Sequence, residues 1–288
     1  MFFNTCLSIF DKLVEIPFFK QRGCLYMANL QNVEPEALRQ MIHNKEVTGH
    51  TSGMAKGYIQ ANVVILPSKY AYDFLKFCFK NPKTCPLLDV SEVGEVNFSK
   101  YGKNADITTE VGAYRVYENG ELIETPSDIK HRFNDDMVSF LIGCSFTFEH
   151  ALLDAGIPLR HLEEGHNVPM YITNIPAESA GRFDGNITVS MRPMTMKDAI
   201  RATEITTHFK NVHGTPIHIG DPSAIGIKDL NQTDFGEPVQ IKENEVPVFW
   251  GCGVTPQSVA LDAKPELIIT HAPGHMFITD VKDSELSD

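Results

Sequence analysis

The segment from residue 245 to residue 275 constrains the fold of this chain more than any other. Residues 246–250 form a short run of apolar, β-branched and aromatic residues, which predicts a buried strand. A Gly-Cys-Gly turn follows, and a hydroxyl before a proline at Thr255 and Pro256 indicates a helix start. Residues 267–270 predict a second buried strand. This order of elements predicts a right-handed parallel βαβ unit.

A parallel unit of this kind places both strand ends at one edge of the sheet, beside the start of the helix. The turn at 251–255 and the segment 270–274 are therefore expected to lie together. Unpaired backbone N–H groups and the helix dipole make such an edge suited to an anion.

The composition bounds the class of protein. With 37 acidic and 25 basic side chains the net charge is −12, which argues against sequence-independent nucleic-acid binding. Six cysteines without a Cys-X-X-Cys pair indicate free thiols in a reducing cytoplasm rather than a disulfide scaffold or a structural zinc site. No run approaches the roughly 20 apolar residues of a spanning helix, so no membrane association is expected.

The chain is long enough for one large globular unit of mixed α/β (α+β) class, with two lobes as an alternative and the βαβ unit at its C-terminal end. Residues 1–26 are apolar but interrupted by Asp11, Lys12 and Glu15, and they lack the basic start and cleavage site of a signal peptide. We interpret them as an extension upstream of the native start, with a docking helix as the alternative. The domain is then 27–288.

Two further segments bear on the site. Residues 58–66 predict a strand with Gln60 and Asn62 on one face, where two amides could line a pocket or face solvent. Residues 127–142 are interpreted as a helix, followed by a second helix that ends at Gly156.

Local turn and capping signals predict other elements. Asn119 and Gly120 predict a hairpin turn, with Arg115 on its first strand as a carboxylate clamp or an ordinary strand cation. Thr195 and Asp198 resemble a capping box at the start of a helix.

Cys144 and Cys252 each follow a glycine and precede a helix start. A helix dipole favours the thiolate of such a cysteine. Two thiols across a substrate carbon could deprotonate and reprotonate it, and a single thiol could be a nucleophile. The structural alternative is a small buried residue, with Ser145 as a plain N-cap.

Four metal-capable residues lie at strand ends that glycine or proline interrupts: His213, His218, Asp221 and His271. Their spacing matches no metal-ligand motif, so no metal is firmly implied, although a divalent metal stays an alternative. Imidazoles as proton carriers are a simpler use. The chain also lacks the glycine-rich and nucleophile motifs of dinucleotide-binding enzymes, P-loop proteins and α/β-hydrolases.

Eight segments in order resemble the bacterial family named "putative hydro-lyase", which is related to D-glutamate cyclase. They are 57–67, 77–90, 140–152, 168–173, 189–193, 213–222, 246–257 and 269–280. Residues 1–26 lie outside the family pattern. Thr215 and Gly251 stand where the family usually has alanine, and neither change removes a candidate catalytic group.

The resemblance implies a hydro-lyase acting on a small amino or hydroxy carboxylic acid, with D-glutamate going to 5-oxo-D-proline and water as the named candidate. A carboxylate- or amino-acid-binding protein without chemistry is the alternative, because the same anion-suited edge would serve it. A homo-oligomer is the base-rate expectation.

We assign roles from the placement of residues at strand ends and glycine turns. The candidates for catalysis are His271, His213, Cys252, Glu149 and Cys144. The candidates for substrate binding are Arg192, Arg115, Tyr171, Gly253, Thr255, Gln257, Gln60, Asn62 and Ser145. Arg192 would bind the carboxylate, an imidazole would carry protons, and backbone N–H groups of residues 252–255 would stabilise an oxyanion.

Overall fold

The computed structural model describes residues 30–286. Its helices are α1 (Pro35–His43), α2 (Ser68–Lys80), α3 (Phe146–Asp154), α4 (Arg160–Glu164), α5 (Met196–Thr206) and α6 (Thr255–Asp262), with 3-10 turns at Pro222–Ile225 and Asp283–Glu285. Its strands are β1 (Tyr58–Pro67), β2 (Leu87–Val90), β3 (Tyr114–Glu118), β4 (Glu121–Glu124), β5 (Met137–Gly143), β6 (Met170–Pro176), β7 (Asn186–Thr195), β8 (His218–Ile219), β9 (Glu245–Gly251), β10 (Ile268–His271) and β11 (Phe277–Lys282).

The larger sheet is built around β1. Its order is β2-β5-β1-β10-β3-β4, and β11 pairs with the first residues of β1. Ile59, Val63 and Ile65 point into one apolar cluster, while Val64 and Leu66 pack on the other side against α2. Both faces of β1 are therefore covered, which explains a strand with almost no polar alternation.

The smaller sheet has the order β6-β7-β9-β8. Helices α3 and α5 cover one face, where Phe148 and Trp250 meet at a centroid distance of 5.7 Å. Tyr171, Val189 and Phe249 pack on the opposite face. Because side chains alternate along β7, Ser190 and Arg192 point towards α3.

The mixed α/β class is confirmed, but the parallel βαβ unit at the C-terminal end is wrong. β9 lies in the smaller sheet and pairs with β7 and β8, whereas β10 lies in the larger sheet and pairs with β1 and β3. All of these pairs are antiparallel. Short apolar runs are typical of parallel strands, but they also arise in antiparallel strands that are buried on both faces. Helix α6 thus leads from one sheet to the other.

The helix interpreted over residues 127–142 is also wrong, because residues 127–136 form turns and irregular backbone and Met137–Gly143 forms β5. Every residue of β5 is buried between β1 and β2, so its apolar run shows no periodicity that separates a strand from a helix. The hairpin is confirmed: β3 and β4 pair, and Asn119 and Gly120 have φ of 53° and 87°.

None of the helices in residues 30–286 has the length and apolar character to cross a membrane. The extension proposed for residues 1–26 lies outside the described residues.

Candidate active site

Two Gly-Cys turns meet where the two sheets adjoin. β5 ends at Gly143 and leads through Cys144 into α3, and β9 ends at Gly251 and leads through Cys252 into α6. The two cysteines pack in one buried cluster. Both thiols are free, and each cysteine is 7% exposed. The structure therefore brings together the two cysteines that the sequence singled out.

Asn62 holds the two turns against β1. Its Nδ2 donates to the Gly143 carbonyl at 2.8 Å. A Cβ on Gly253 would lie 2.0 Å from the same nitrogen and 3.0 Å from the Gly143 carbonyl oxygen. Glycine is required here by close approach. Asn62 is 3% and Gln60 2% exposed, so the solvated-face alternative for this strand is wrong.

Gln60 ties a different loop to β1. Its Nε2 donates to the carbonyls of Thr51 and Met54 at 2.9 and 3.1 Å. Its Oε1 is buried without a hydrogen-bond partner among residues 30–286.

Both thiols are protonated at neutral pH in the free protein. Burial raises the pKa of Cys144 well above its ordinary value, and it raises the pKa of Cys252 to about 11. The backbone N–H of Phe146 lowers the pKa of the first thiol and that of Val254 lowers the pKa of the second, but neither offsets burial. The predicted effect of the helix start is present in direction, but burial outweighs it and each thiol keeps its proton.

His213 lies against both turns. Its Nδ1 donates to the Lys83 carbonyl at 3.0 Å, because a carbonyl only accepts. That same oxygen would lie 2.7 Å from a Cβ on Gly251, and the Gly143 carbonyl is close enough to raise the pKa of the ring. Burial outweighs this effect and lowers the pKa of His213 to about 4, so the ring is neutral.

In this tautomer the Nε2 atom of His213 carries a lone pair. The atom is buried and has no hydrogen-bond partner within the described part of the chain. His213 also has a φ of 70°, a left-handed conformation that is uncommon for a residue other than glycine. A buried base with a free lone pair thus lies against the backbone of the Gly143 turn, which leads into Cys144.

Arg192 and Glu149 form a buried ion pair behind the Cys144 turn. Arg192 donates to Glu149 through Nε at 3.1 Å and through Nη2 at 2.5 Å. Nη2 also donates to Ser145 Oγ at 2.9 Å, and Nη1 donates to Ser190 Oγ at 3.1 Å. These contacts occupy four of the five N–H groups of the guanidinium, so one on Nη1 is left for a substrate.

Glu149 is ionised throughout the physiological range. Burial raises its pKa, but the neighbouring His161 and Arg192 outweigh burial and lower the pKa to about 2. His161 Nε2 lies 3.2 Å from the carboxylate oxygen, although it is not aligned for a hydrogen bond. A carboxylate held this way is a poor proton carrier at neutral pH, contrary to the role predicted for it.

The sequence analysis missed His161 and Ser190. Ser190 lies two residues before Arg192 on the same strand face, so period-two alternation could have linked them. No local signal marks His161, whose contact with Glu149 arises only from tertiary packing.

His271 and Gln257 are joined to each other and to β1. His271 Nδ1 lies 3.1 Å from the backbone nitrogen of Val63 and 2.9 Å from Gln257 Nε2, so it acts as an acceptor and Nε2 carries the proton. Burial lowers the pKa of His271 to about 4. The helix start and His271 thus meet through Gln257, despite the antiparallel arrangement.

Three residues that were predicted to bind substrate lie in contacts within the fold. Thr255 is the first residue of α6 and not its cap, and its hydroxyl bonds the backbone of Thr188 at 3.0 and 3.2 Å. Tyr171 donates to the Leu230 carbonyl at 2.7 Å and lines a separate cavity of about 180 Å³. Arg115 lies opposite Thr270 on β3 and is half-buried.

The metal candidates do not converge. His218 Nε2 donates to the Asp221 carbonyl at 2.7 Å, and the Asp221 carboxylate accepts from Ser223. His213 and His271 are each held by backbone groups. Within residues 30–286 no three His, Cys, Asp or Glu side chains are placed to hold a metal ion.

A separate open groove of about 900 Å³ lies between α2 and β2. Its lining is mostly apolar and includes Tyr72, Phe79 and Leu88. The candidate chemistry lies elsewhere, so volume alone does not locate the site.

Comparison with known proteins places the chain in a family. Residues 138–280, which include both Gly-Cys turns, match the D-glutamate cyclase family. The chain is 88% identical over 262 residues to a "Putative hydro-lyase" of Staphylococcus carnosus, covering 91% of this chain and 100% of that protein. It is 75% identical to a protein of that description from Staphylococcus saprophyticus, covering 90% and 100%. A third, from Thermoanaerobacter, is 55% identical, covering 90% and 98%.

Structural comparison adds little. A crystal structure of a nitrogen repressor-like protein from Methanococcus jannaschii has a TM-score of 0.36 and 13% identity, covering 83% of this chain and 96% of that one. A likeness at this level carries no argument about fold or function. The sequence matches are decisive, and the chain belongs to the family of bacterial proteins described as "putative hydro-lyase", which is related to D-glutamate cyclase.

Proposed function

We propose that this protein is a hydro-lyase that converts a small amino or hydroxy carboxylic acid at the two Gly-Cys turns, with D-glutamate as the candidate substrate and 5-oxo-D-proline and water as products. Family membership supports the reaction class. The observation that carries the location is the unpartnered lone pair on His213 Nε2, buried beside two turns that each open a helix.

Cyclisation needs a base and a proton return. The substrate ammonium loses a proton, its nitrogen attacks the γ-carboxyl carbon, and the C–N bond forms. The C–O bond then breaks. Two protons leave the nitrogen in all, and both end on the departing oxygen as water. We assign to His213 Nε2 the transfer of each proton to the leaving oxygen, and its buried lone pair, without a partner among residues 30–286, supports this role.

The anionic groups of the substrate have donors at the turns. The backbone N–H groups of Ser145 and Gly253 make no hydrogen bond within residues 30–286. Each precedes a helix, where free N–H groups and the dipole favour negative charge. The Cys252 N–H donates to the Thr188 carbonyl, and the Thr255 N–H donates to the Cys252 carbonyl. Fewer backbone N–H groups are therefore free to bind an oxyanion than the sequence predicted.

Arg192 supports this site through charge and position. Its guanidinium binds Ser145 directly, and its charge lowers the pKa of both neighbouring thiols. With Glu149 ionised beside it, Arg192 orders the Cys144 turn and leaves a single N–H for a carboxylate. The role first predicted for Arg192, binding the substrate carboxylate, becomes a supporting one.

The test follows 5-oxoproline by proton NMR with D- and L-glutamate, with and without EDTA and added manganese or zinc. In His213→Asn, the shorter amide replaces the Nδ1 donor to Lys83, removes Nε2, and tolerates a positive φ. We expect kcat to fall about 10²–10⁴-fold with little change in melting temperature. His218→Asn, outside the site, is the matched control.

Full activity of His213→Asn would overturn the assignment of the base. Ligands that raise the melting temperature but are never converted would favour the carboxylate-binding alternative instead.

A further inference from the structure

The two Gly-Cys turns have the same local construction. In each, the N–H three residues after the cysteine donates to the cysteine carbonyl: Thr147 to Cys144 at 3.1 Å and Thr255 to Cys252 at 2.9 Å. In each, the N–H two residues after the cysteine lowers the pKa of the thiol. In each, the cysteine links the end of a strand to a helix of at least eight residues.

The turns nevertheless come from different sheets, so their cysteines reach one buried cluster from two separate strands. Each cysteine has the same small exposure, 7%, and both belong to one cluster. The negative charge of a Cys252 thiolate would raise the pKa of Cys144, which places the two groups within electrostatic reach. Two acid–base groups of one type thus lie in one buried cluster.

His213 supplies the independent sign that a ligand binds here. Its Nε2 is buried and has no hydrogen-bond partner within residues 30–286, and the Gly143 carbonyl, immediately before Cys144, is close enough to the ring to raise its pKa. A buried acceptor left without a partner costs free energy unless a bound group satisfies it. A proton donor is therefore expected at this point, and a neighbouring thiol or a substrate ammonium would serve.

We infer that Cys144 and Cys252 act as a two-base pair that removes and returns the α-hydrogen of the bound carboxylic acid, giving the site a racemase activity. The inference rests on the proposed function for the substrate class and goes beyond it, because cyclisation leaves the α-carbon untouched.

The proposed inversion moves protons between the two thiols, His213 and the α-carbon. When substrate is bound, one thiol gives its proton to His213 Nε2. The resulting thiolate and imidazolium attract each other, which opposes the burial that keeps both groups neutral in the free protein. The thiolate takes the α-hydrogen as a proton, and the C–H electron pair moves into the carboxylate. The opposite thiol then donates its proton to the other face of the carbon. The product is the mirror-image acid, and thiol and thiolate have exchanged places.

The experiment is hydrogen exchange in D₂O. D- and L-glutamate, and a panel of 2-amino and 2-hydroxy acids, are incubated with the full chain. Proton NMR follows loss of the α-hydrogen signal, and chiral chromatography follows inversion. We expect at least one acid to lose its α-hydrogen from both enantiomers, with inversion.

Single-cysteine variants separate the two bases. Cys144→Ser and Cys252→Ser are each expected to lose inversion by at least about 100-fold. Each is expected to keep α-hydrogen loss from one enantiomer, the two variants keeping opposite ones. Cys78→Ala, a buried free cysteine outside the site, is the control and keeps wild-type exchange.

The outcomes distinguish this inference from the proposed function. Formation of 5-oxoproline without α-exchange overturns the two-base pair and leaves the hydro-lyase standing. Exchange without cyclisation supports the pair and removes D-glutamate cyclisation. Absence of exchange across the whole panel overturns the inference, whether or not the variants fold.

Discussion

Gly253 shows how tightly single residues fit at the junction of the two sheets. A Cβ there would overlap the Asn62 amide, whereas a Cβ on Gly49 would meet no atom within 4 Å. We expect Gly253→Ala to lower the free energy of unfolding by about 1–3 kcal/mol and to reduce turnover, because Asn62 must move. Urea denaturation and 5-oxoproline formation measure these effects. Gly49→Ala, the same change without the overlap, should match the wild type.

A second substitution can relieve the overlap. Adding Asn62→Ala to Gly253→Ala removes the obstructing amide, so the double variant should lose less stability than the sum of the single losses. Strict additivity of the two losses would contradict the contact.

The buried ion pair between Arg192 and Glu149 should affect the stability of the fold when one partner is removed. Glu149→Gln leaves the Arg192 charge without its partner in a fully buried position, which costs roughly 3–5 kcal/mol. Equilibrium unfolding in urea checks this value.

Glu163→Gln is its matched control, since it also removes the carboxylate partner of a buried arginine. Glu163 is half-exposed, however, and Arg160 keeps Glu245 at 2.7 Å. A loss below about 1 kcal/mol is expected. Equal losses in the two variants would mean that the buried pair contributes no more than the exposed one.

Helix α5 begins at a residue whose side chain caps it. Thr195 Oγ1 accepts the N–H of Asp198 at 3.2 Å and caps α5, as its sequence pattern predicted. Thr195→Ala should lower the free energy of unfolding by about 1 kcal/mol, which is measured as a lower urea midpoint. Thr207→Ala, at the other end of that helix, removes an exposed hydroxyl that bonds a carbonyl four residues back, and it should be nearly neutral. A reversed order would contradict the cap.

Elements with a local cause were predictable, and elements with a distant cause were not. The hairpin at Asn119 and the cap at Thr195 depend on neighbours within a few residues. β5 and the pairing of β9 and β10 depend on which surfaces cover them, and a short apolar run carries no such information.

The site divides in the same way. The Gly-Cys pattern pointed to both thiols because a glycine before a helix start is a local signal. The partners of His213 and Glu149 were not predictable, since Lys83 and His161 reach them only through the packing of the sheets.

For the whole molecule, the buried imidazoles predict a pH dependence of stability. Burial lowers the pKa of His213 and of His271 to about 4, while the unfolded chain protonates them near 6.5. Between these values the unfolded state binds more protons, so the free energy of unfolding falls as pH decreases from 6.5 to 4, by on the order of 3 kcal/mol per ring. Glu149 extends the decline from pH 4.5 towards 2.

Urea midpoints between pH 8 and pH 4 measure this decline. His213→Asn should reduce the dependence of the free energy of unfolding on pH by about one ring's share. A midpoint independent of pH across this window would show that neither ring is held neutral.

The junction of the sheets also has a consequence for how function appears during refolding. Each sheet can form its own hydrogen bonds, yet Cys144 directly follows a strand of one sheet and Cys252 directly follows a strand of the other. Contacts between such distant segments form late and slowly. Circular dichroism should therefore recover before turnover does. The delay between the two signals would measure how long the two sheets take to dock. Product formation would then begin only when that docking is complete.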